Sequence, residues 1–161
     1  MLTNMSMSLV NMLYNFQLMK FAGADGVAAY GIIMYVSFIF VGTYLGYSIG
    51  AAPIVSFHYG AGNRNELKNL FKKSLILMSV ASVVLTVIAE LMAGVLSGVF
   101  VAYDAELFAM TTVAIRLYSI SYIFNGINIF ASAFFTALND GLVSALISFL
   151  RTLVFQVVMI F

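Results

Sequence analysis

Residues 50–73 read GAAPIVSFHYGAGNRNELKNLFKK, and this stretch decides how the chain is laid out. It holds the only proline and the only histidine of the chain, Pro53 and His58, at the end of a long apolar segment. It also holds four of the seven basic residues: Arg64, Lys68, Lys72 and Lys73. Helix breakers followed by clustered bases are typical of an apolar helix that ends at a polar interface.

The composition excludes a water-soluble domain. Of the 161 residues, 63% are hydrophobic and 8% are charged, and the mean hydropathy is +1.08, whereas soluble domains carry about 25% charged residues. We therefore predict an integral membrane protein that has the lipid bilayer as its surroundings. No nucleic acid partner is expected, because the sequence offers no basic face for one. Because cysteine is absent and histidine occurs once, no metal site is expected either.

Five apolar segments predict an all-α membrane protein, a bundle of about five long transmembrane helices. Their approximate bounds are 2–19, 27–57, 70–100, 106–138 and 142–161. The connections between them are short, so consecutive helices should run antiparallel. The odd number of helices, and a last segment that reaches Phe161 without a polar end, predict that residues 1–161 are one part of a longer transmembrane lobe.

Charge sets the predicted orientation. Four bases cluster between the second and third segments, whereas the connection near 101–106 holds Asp104 and Glu106 and no base. The positive-inside rule then places residues 58–73 in the cytoplasm, against the single opposing charge of Lys20. Within this loop we interpret His58 as an interfacial polar residue rather than a proton relay.

The second segment contains a candidate hinge. Gly42, Gly46 and Gly50 are four residues apart and so share one helix face, and Pro53 follows them. The glycines allow a neighbouring helix to approach closely, which is one interpretation. The alternative is a bendable helix with Gly46, Gly50 and Pro53 as hinge residues, because proline removes a backbone hydrogen bond.

Three ionisable residues fall inside the predicted spans: Glu90, Arg116 and Arg151. Such residues are costly in a bilayer and are candidates for function. Glu90 and Arg116 lie equally far from the turn near residue 103, so we expect them at one depth as an ion pair, serving either structure or ion coupling. Arg151 should face other helices, with contact to substrate or coupling ion as the functional alternative.

Amide and aromatic side chains give the candidate substrate cavity. Asn11 and Asn15 share one face of the first segment, and Asn125 and Asn128 share one face of the fourth. Such amides either hold helices together or line a water-filled cavity. Together with the many Met and Phe residues, four tyrosines suit an adaptable pocket for lipophilic cations: Tyr30, Tyr35, Tyr44 and Tyr47. No nucleotide-binding loop, nucleophile motif or metalloprotease motif is present, so we do not predict an enzyme.

Three blocks resemble the second half of a multidrug and toxic compound extrusion (MATE) transporter, in its bacterial multidrug-efflux branch. They are GADGVAAYGI (23–32), PIVSFHYGAGNRNELKNLFKK (53–73) and FFTALNDGLVSALISFLRTLVF (134–155). The resemblance implies helices seven to eleven of a twelve-helix protein with two six-helix lobes. It further implies part of a secondary active multidrug efflux antiporter, which exchanges cationic drugs for protons or sodium ions by alternating access.

The resemblance also implies a bacterial inner membrane, a missing N-terminal lobe as partner, and no cofactor beyond the coupling ion. The sequence departs from the family pattern in two places. His58 stands where the family usually has asparagine, and the coupling carboxylates of one branch fall near Ser8 and near Asn128 or Ile129, none of them acidic. The alternatives are a lipid-linked sugar flippase of the same superfamily and a non-transporting, truncated membrane fragment.

Overall fold

A computed structural model describes residues 2–150, and their side chains from residue 8 onward. The described chain contains five α-helices and no strand, which confirms the predicted all-α class. In chain order they are α1 (Leu2–Gly60), α2 (Arg64–Val101), α3 (Ala105–Ser119), α4 (Tyr122–Ala137) and α5 (Gly141–Phe149).

Helix α1 contains the first two predicted segments, joined at Gly23 rather than separated by a loop. Gly23 has φ 62° and ψ −154°, a non-helical conformation that divides α1 into a first arm (2–22) and a second arm (24–60). The two arms fold back on each other. Across them, the Tyr14 and Tyr30 rings stack with centroids 5.3 Å apart. The predicted antiparallel arrangement is thus produced by one residue.

Exchanging Gly23 for alanine is expected to destabilise the fold by about 1–2 kcal/mol, because a side chain is strained at positive φ. Space is not the cause, since a Cβ at Gly23 would meet no atom within 4 Å. Gly31→Ala is the matched control, because Gly31 is equally uncrowded but helical. Thermal unfolding of the purified variants checks this, and equal unfolding temperatures would contradict the strain argument.

The three remaining connections each end in an acidic or amide side chain that caps the next helix. The Asn63 side chain accepts a hydrogen bond from the Glu66 backbone N–H before α2. Asp104 does the same for α3, and Asp140 for α5. These caps satisfy N–H groups that have no partner within the helix, and so they fix where each helix begins.

The fourth predicted helix, 106–138, is broken. Helices α3 and α4 meet at an angle of 47° between Ser119 and Tyr122. Neither glycine nor proline occurs at the break, where residues 118–122 read YSISY. The bend instead depends on hydroxyl groups and on contacts with α1 and α2, described below.

Helix α4 packs against both α1 and α2, and small residues allow the close approach. The buried face of α2 is mostly small, and its residues are Ser74, Met78, Ser82, Thr86, Ala89, Ala93, Ser97 and Val101. Where the three helices meet, Gly126 of α4 is buried against the Ser82 side chain and the Tyr44 ring. This contact requires a residue without a Cβ.

Within residues 8–150, two helical stretches are long and apolar enough to cross a membrane. They are Ser8–Gly60, which contains an 18-residue window of mean hydropathy 1.8, and Arg64–Val101, which contains one of mean hydropathy 2.4. The bent pair α3 and α4 forms a third when counted as one span. Large apolar side chains such as Leu91, which is 79% exposed, cover the outside of α2. Such a surface is suited to lipid rather than water.

Candidate functional site

The break between α3 and α4 is held by polar groups from two other helices. The Tyr44 hydroxyl of α1 donates to the Tyr122 carbonyl at 3.2 Å. The Thr86 hydroxyl of α2 lies 2.8 Å from the Ser82 carbonyl of its own helix and 3.3 Å from the Ser119 carbonyl, so it shares its proton between the two. Ser119 is the last residue of α3, so its carbonyl lacks a regular helical partner, which is costly inside a membrane protein. Tyr122 begins α4, so the Tyr44 hydrogen bond fastens the start of α4 to α1. Both hydroxyls are buried.

The side chain of Tyr122 fastens the break to α1. Its hydroxyl is hydrogen-bonded to that of Ser37 at 2.8 Å, and its ring stacks on Phe40 with centroids 4.9 Å apart. Tyr122 is 1% exposed. The residue therefore contributes a ring, a hydroxyl and a carbonyl to one junction.

Tyr122→Phe is expected to lower stability by about 1 kcal/mol, because the ring remains but the Ser37 hydroxyl loses its partner. Tyr103→Phe is the matched control, since Tyr103 is 83% exposed in the turn before α3. Unfolding by titration with a denaturing detergent measures both variants. If Tyr122→Phe unfolds at the same midpoint as the parent, the hydroxyl pair contributes nothing.

Glu90 of α2 also contacts the break, but not through the predicted partner. The Ser119 hydroxyl lies 2.7 Å from the Glu90 carboxylate and 2.7 Å from the Arg116 carbonyl, and it can donate its one proton to either oxygen. Among the described residues no ion pair joins Glu90 to Arg116. The predicted ion pair is wrong because the buried face of α3 runs through Ile115 and Ser119. Arg116 lies one residue beyond Ile115, about 100° around the helix, and is exposed.

An aromatic cleft of about 300 Å³ lies beside the break, between the two arms of α1 and α3. It is lined by Val10, Asn11, Tyr14, Tyr30, Met34, Ser37, Phe38, Val41 and Tyr118. The Tyr30 hydroxyl donates to the Asn11 side-chain oxygen at 2.9 Å. Ser37 belongs to both the cleft and the Tyr122 junction, so the two features are contiguous.

Of the predicted cavity residues, Asn11 and Tyr30 line this cleft. Asn15 lines a second, apolar cleft of about 520 Å³ with Met12 and Phe16. Tyr35 is 67% exposed and stacks on Phe100. The two predicted residues of α4 lie half-buried and line neither cleft: Asn125 and Asn128.

The predicted hinge residues lie in continuous helix. The second arm of α1 is helical through Gly46, Gly50 and Pro53, and all three are exposed. A Cβ at Gly46 or Gly50 would meet no atom within 4 Å, so no described helix packs closely there. Arg151, the third predicted ionisable candidate, lies outside the described residues.

Sequence reasoning assigned Tyr44 to a cavity rather than to the junction, where its hydroxyl bonds the Tyr122 carbonyl. It missed the other junction residues: Ser37, Thr86, Ser119 and Tyr122. A signal for part of it was present, because YSISY at 118–122 is a polar interruption of an apolar helix. No group of His, Asp or Glu side chains within the described chain could hold a metal ion.

A comparison with family models gives a match along the whole chain. The model of the MatE family matches residues 1–161. That range includes all three blocks on which the sequence resemblance rests. No curated protein and no solved structure matches the chain.

Proposed function

Because the chain belongs to the MatE family of membrane transporters, we propose that it forms part of a secondary active antiporter that exports lipophilic cations in exchange for protons or sodium ions. Family membership makes it a multi-pass membrane protein and a transporter rather than an enzyme. What we propose beyond family membership is the cargo, a lipophilic cation, and the coupling ion, a proton or a sodium ion. The observation that carries it is the aromatic cleft beside the helix break.

The chemistry of the cleft suits a lipophilic cation. Tyr14 and Tyr30 stack at one side, and the faces of aromatic rings attract cations. Met34 and Phe38 add adaptable apolar surface, and Asn11 supplies an amide oxygen. None of the described residues that line the cleft is basic, which suits a positively charged cargo.

Glu90 is the proposed coupling group. Its carboxylate and the Ser119 hydroxyl are the kind of oxygens that bind a proton or a sodium ion, and they meet at the bend of α3 and α4. When a proton or a sodium ion binds to Glu90 or leaves it, the hydrogen bond between Glu90 and Ser119 at the bend changes. Because Ser119 and Tyr122 flank one break, the same movement reaches the cleft through Tyr122 and Ser37.

The transport unit proposed here includes a second, N-terminal lobe in a bacterial inner membrane, with residues 58–73 on the cytoplasmic side. A second lobe is supported by the second arm of α1, where the exposed glycines and Tyr35 form a face that no described helix covers. The four bases of the 58–73 stretch support the orientation.

Efflux of ethidium, a fluorescent lipophilic cation, tests the proposal. We expect cells that express the chain with a complete MATE transporter's N-terminal lobe to export it, and the export to stop when the ion gradients are collapsed. Tyr30→Leu should weaken export about tenfold by removing a stacked ring and a hydroxyl, whereas Tyr103→Leu, in an exposed turn, should not. Movement of lipid-linked sugar without ethidium export would favour the flippase, and neither activity would favour the non-transporting fragment.

A further inference from the structure

We propose that the cytoplasmic-end groove between α2 and α4 binds an anionic phospholipid, with the phosphate on three bases of α2 and an acyl chain in the groove. The groove measures about 160 Å³ and is lined by Leu67, Lys68, Phe71, Phe134 and Leu138. It is therefore apolar except for one ammonium group at its edge. That combination matches a lipid, which carries an apolar chain below a charged headgroup.

The bases form a stripe on one side of α2. Arg64, Lys68 and Lys72 follow one another at intervals of four residues, so they lie on successive turns of one face. Lys68 lines the groove itself, and Phe71, three residues further on, is turned about 60° from Lys68 around the helix. All three are exposed, and no hydrogen bond or ion pair to a described residue engages their side chains.

Among the described residues no acid forms an ion pair with this stripe. Glu66 is seven residues from Lys73, so the two share another face of α2. The Asp140 carboxylate accepts a hydrogen bond from the Val143 backbone N–H. The stripe thus presents three positive charges at the end of an apolar groove, and a phosphate diester is the complementary group that a membrane supplies.

The floor of the groove is preformed. The Phe71 and Phe134 rings lie 4.7 Å apart between centroids, and Phe134 is buried. Leu67 and Leu138 form its other walls, one from α2 and one from just beyond α4. A chain seated there would bridge the two helices, so the lipid would stabilise their contact as well as occupy the surface.

Lipid binding to the purified full chain, measured by native mass spectrometry, tests the proposal. Phosphatidylglycerol should bind more tightly than phosphatidylcholine with the same acyl chains. Lys68→Gln should weaken phosphatidylglycerol binding about fivefold, and a variant lacking all three stripe bases about a hundredfold, since each base near a membrane surface contributes about 1 kcal/mol. Lys73→Gln removes the same charge from another face and should change binding less than about twofold.

Three results would overturn the proposal. Equal losses in Lys68→Gln and Lys73→Gln would indicate diffuse attraction to charge. Equal binding of the two lipids would remove the role of the headgroup. Displacement of phosphatidylglycerol by millimolar inorganic phosphate would indicate a free anion site. Helical content and elution volume check folding, and Arg64→Gln with Lys72→Gln repeats the test if Lys68→Gln fails to fold.

Discussion

Gly126→Val is expected to destabilise the bundle by at least about 3 kcal/mol. A Cβ at position 126 would collide with the Ser82 hydroxyl and press against the Tyr44 ring, whose edge atom would lie 3.0 Å away. Tyr44 is fully buried and bonded to the Tyr122 carbonyl, so it cannot move aside without breaking the junction. The variant should therefore separate α4 from α1 and α2, and thermal unfolding of the purified protein measures the loss.

Two further variants make the Gly126 result specific. Gly94→Val adds the same side chain to α2, where a Cβ meets no atom within 4 Å, and it should leave stability within about 1 kcal/mol of the parent. Gly126→Ala should cost about 1–3 kcal/mol, and adding Ser82→Ala should recover part of that loss because the nearest atom is removed. An equal response at Gly94 and Gly126 would show that the close contact does not determine stability.

Glu90→Gln is expected to reduce ion-coupled ethidium efflux more than tenfold while leaving the fold intact. The amide oxygen can still accept the hydrogen bond from Ser119, so the bend keeps its contact. The variant removes the charge, and with it the means of binding and releasing a proton or sodium ion. Efflux is measured in the two-lobe unit, with unfolding temperature as the parallel readout.

Controls at Glu106 and Ser119 separate coupling from structure. Glu106→Gln makes the same exchange at an exposed carboxylate in the first turn of α3 and should retain full efflux. Ser119→Ala keeps the carboxylate but removes the hydrogen bond through which Glu90 reaches the bend, so it should lower both stability and efflux, whereas Glu90→Gln should lower efflux alone. Full efflux by Glu90→Gln would assign Glu90 a structural role only.

Much of the fold follows from local sequence. Apolar length predicts the helices, and Asn63, Asp104 and Asp140 mark three of the connections because each side chain caps the helix that follows. The sequence predicts that Gly23 lies in a loop between two helices. In the structure there is no loop, and the positive φ of Gly23 reverses the direction of the chain. Local signals of this kind act within a few residues and are visible in a single sequence.

The candidate site could not be predicted in the same way, because its contacts join residues far apart in the chain. Tyr44 and Thr86 stabilise carbonyls at Tyr122 and Ser119. The equal distances of Glu90 and Arg116 from the turn near residue 103 give nearly the correct depth for Glu90, because Glu90 contacts Ser119, one helical turn beyond Arg116. These distances could not give the rotation of α3 about its axis, which decides whether Arg116 or Ser119 faces the Glu90 carboxylate.

The break also shortens the two helices that it joins. Helices α3 and α4 contain 15 and 16 residues, so each is roughly 23 Å long and shorter than the roughly 30 Å apolar layer of a bilayer. Only the two together are long enough to cross that layer, as one bent span. The bend therefore falls at membrane depth, where its polar groups depend on hydroxyls of α1 and α2 because water is absent.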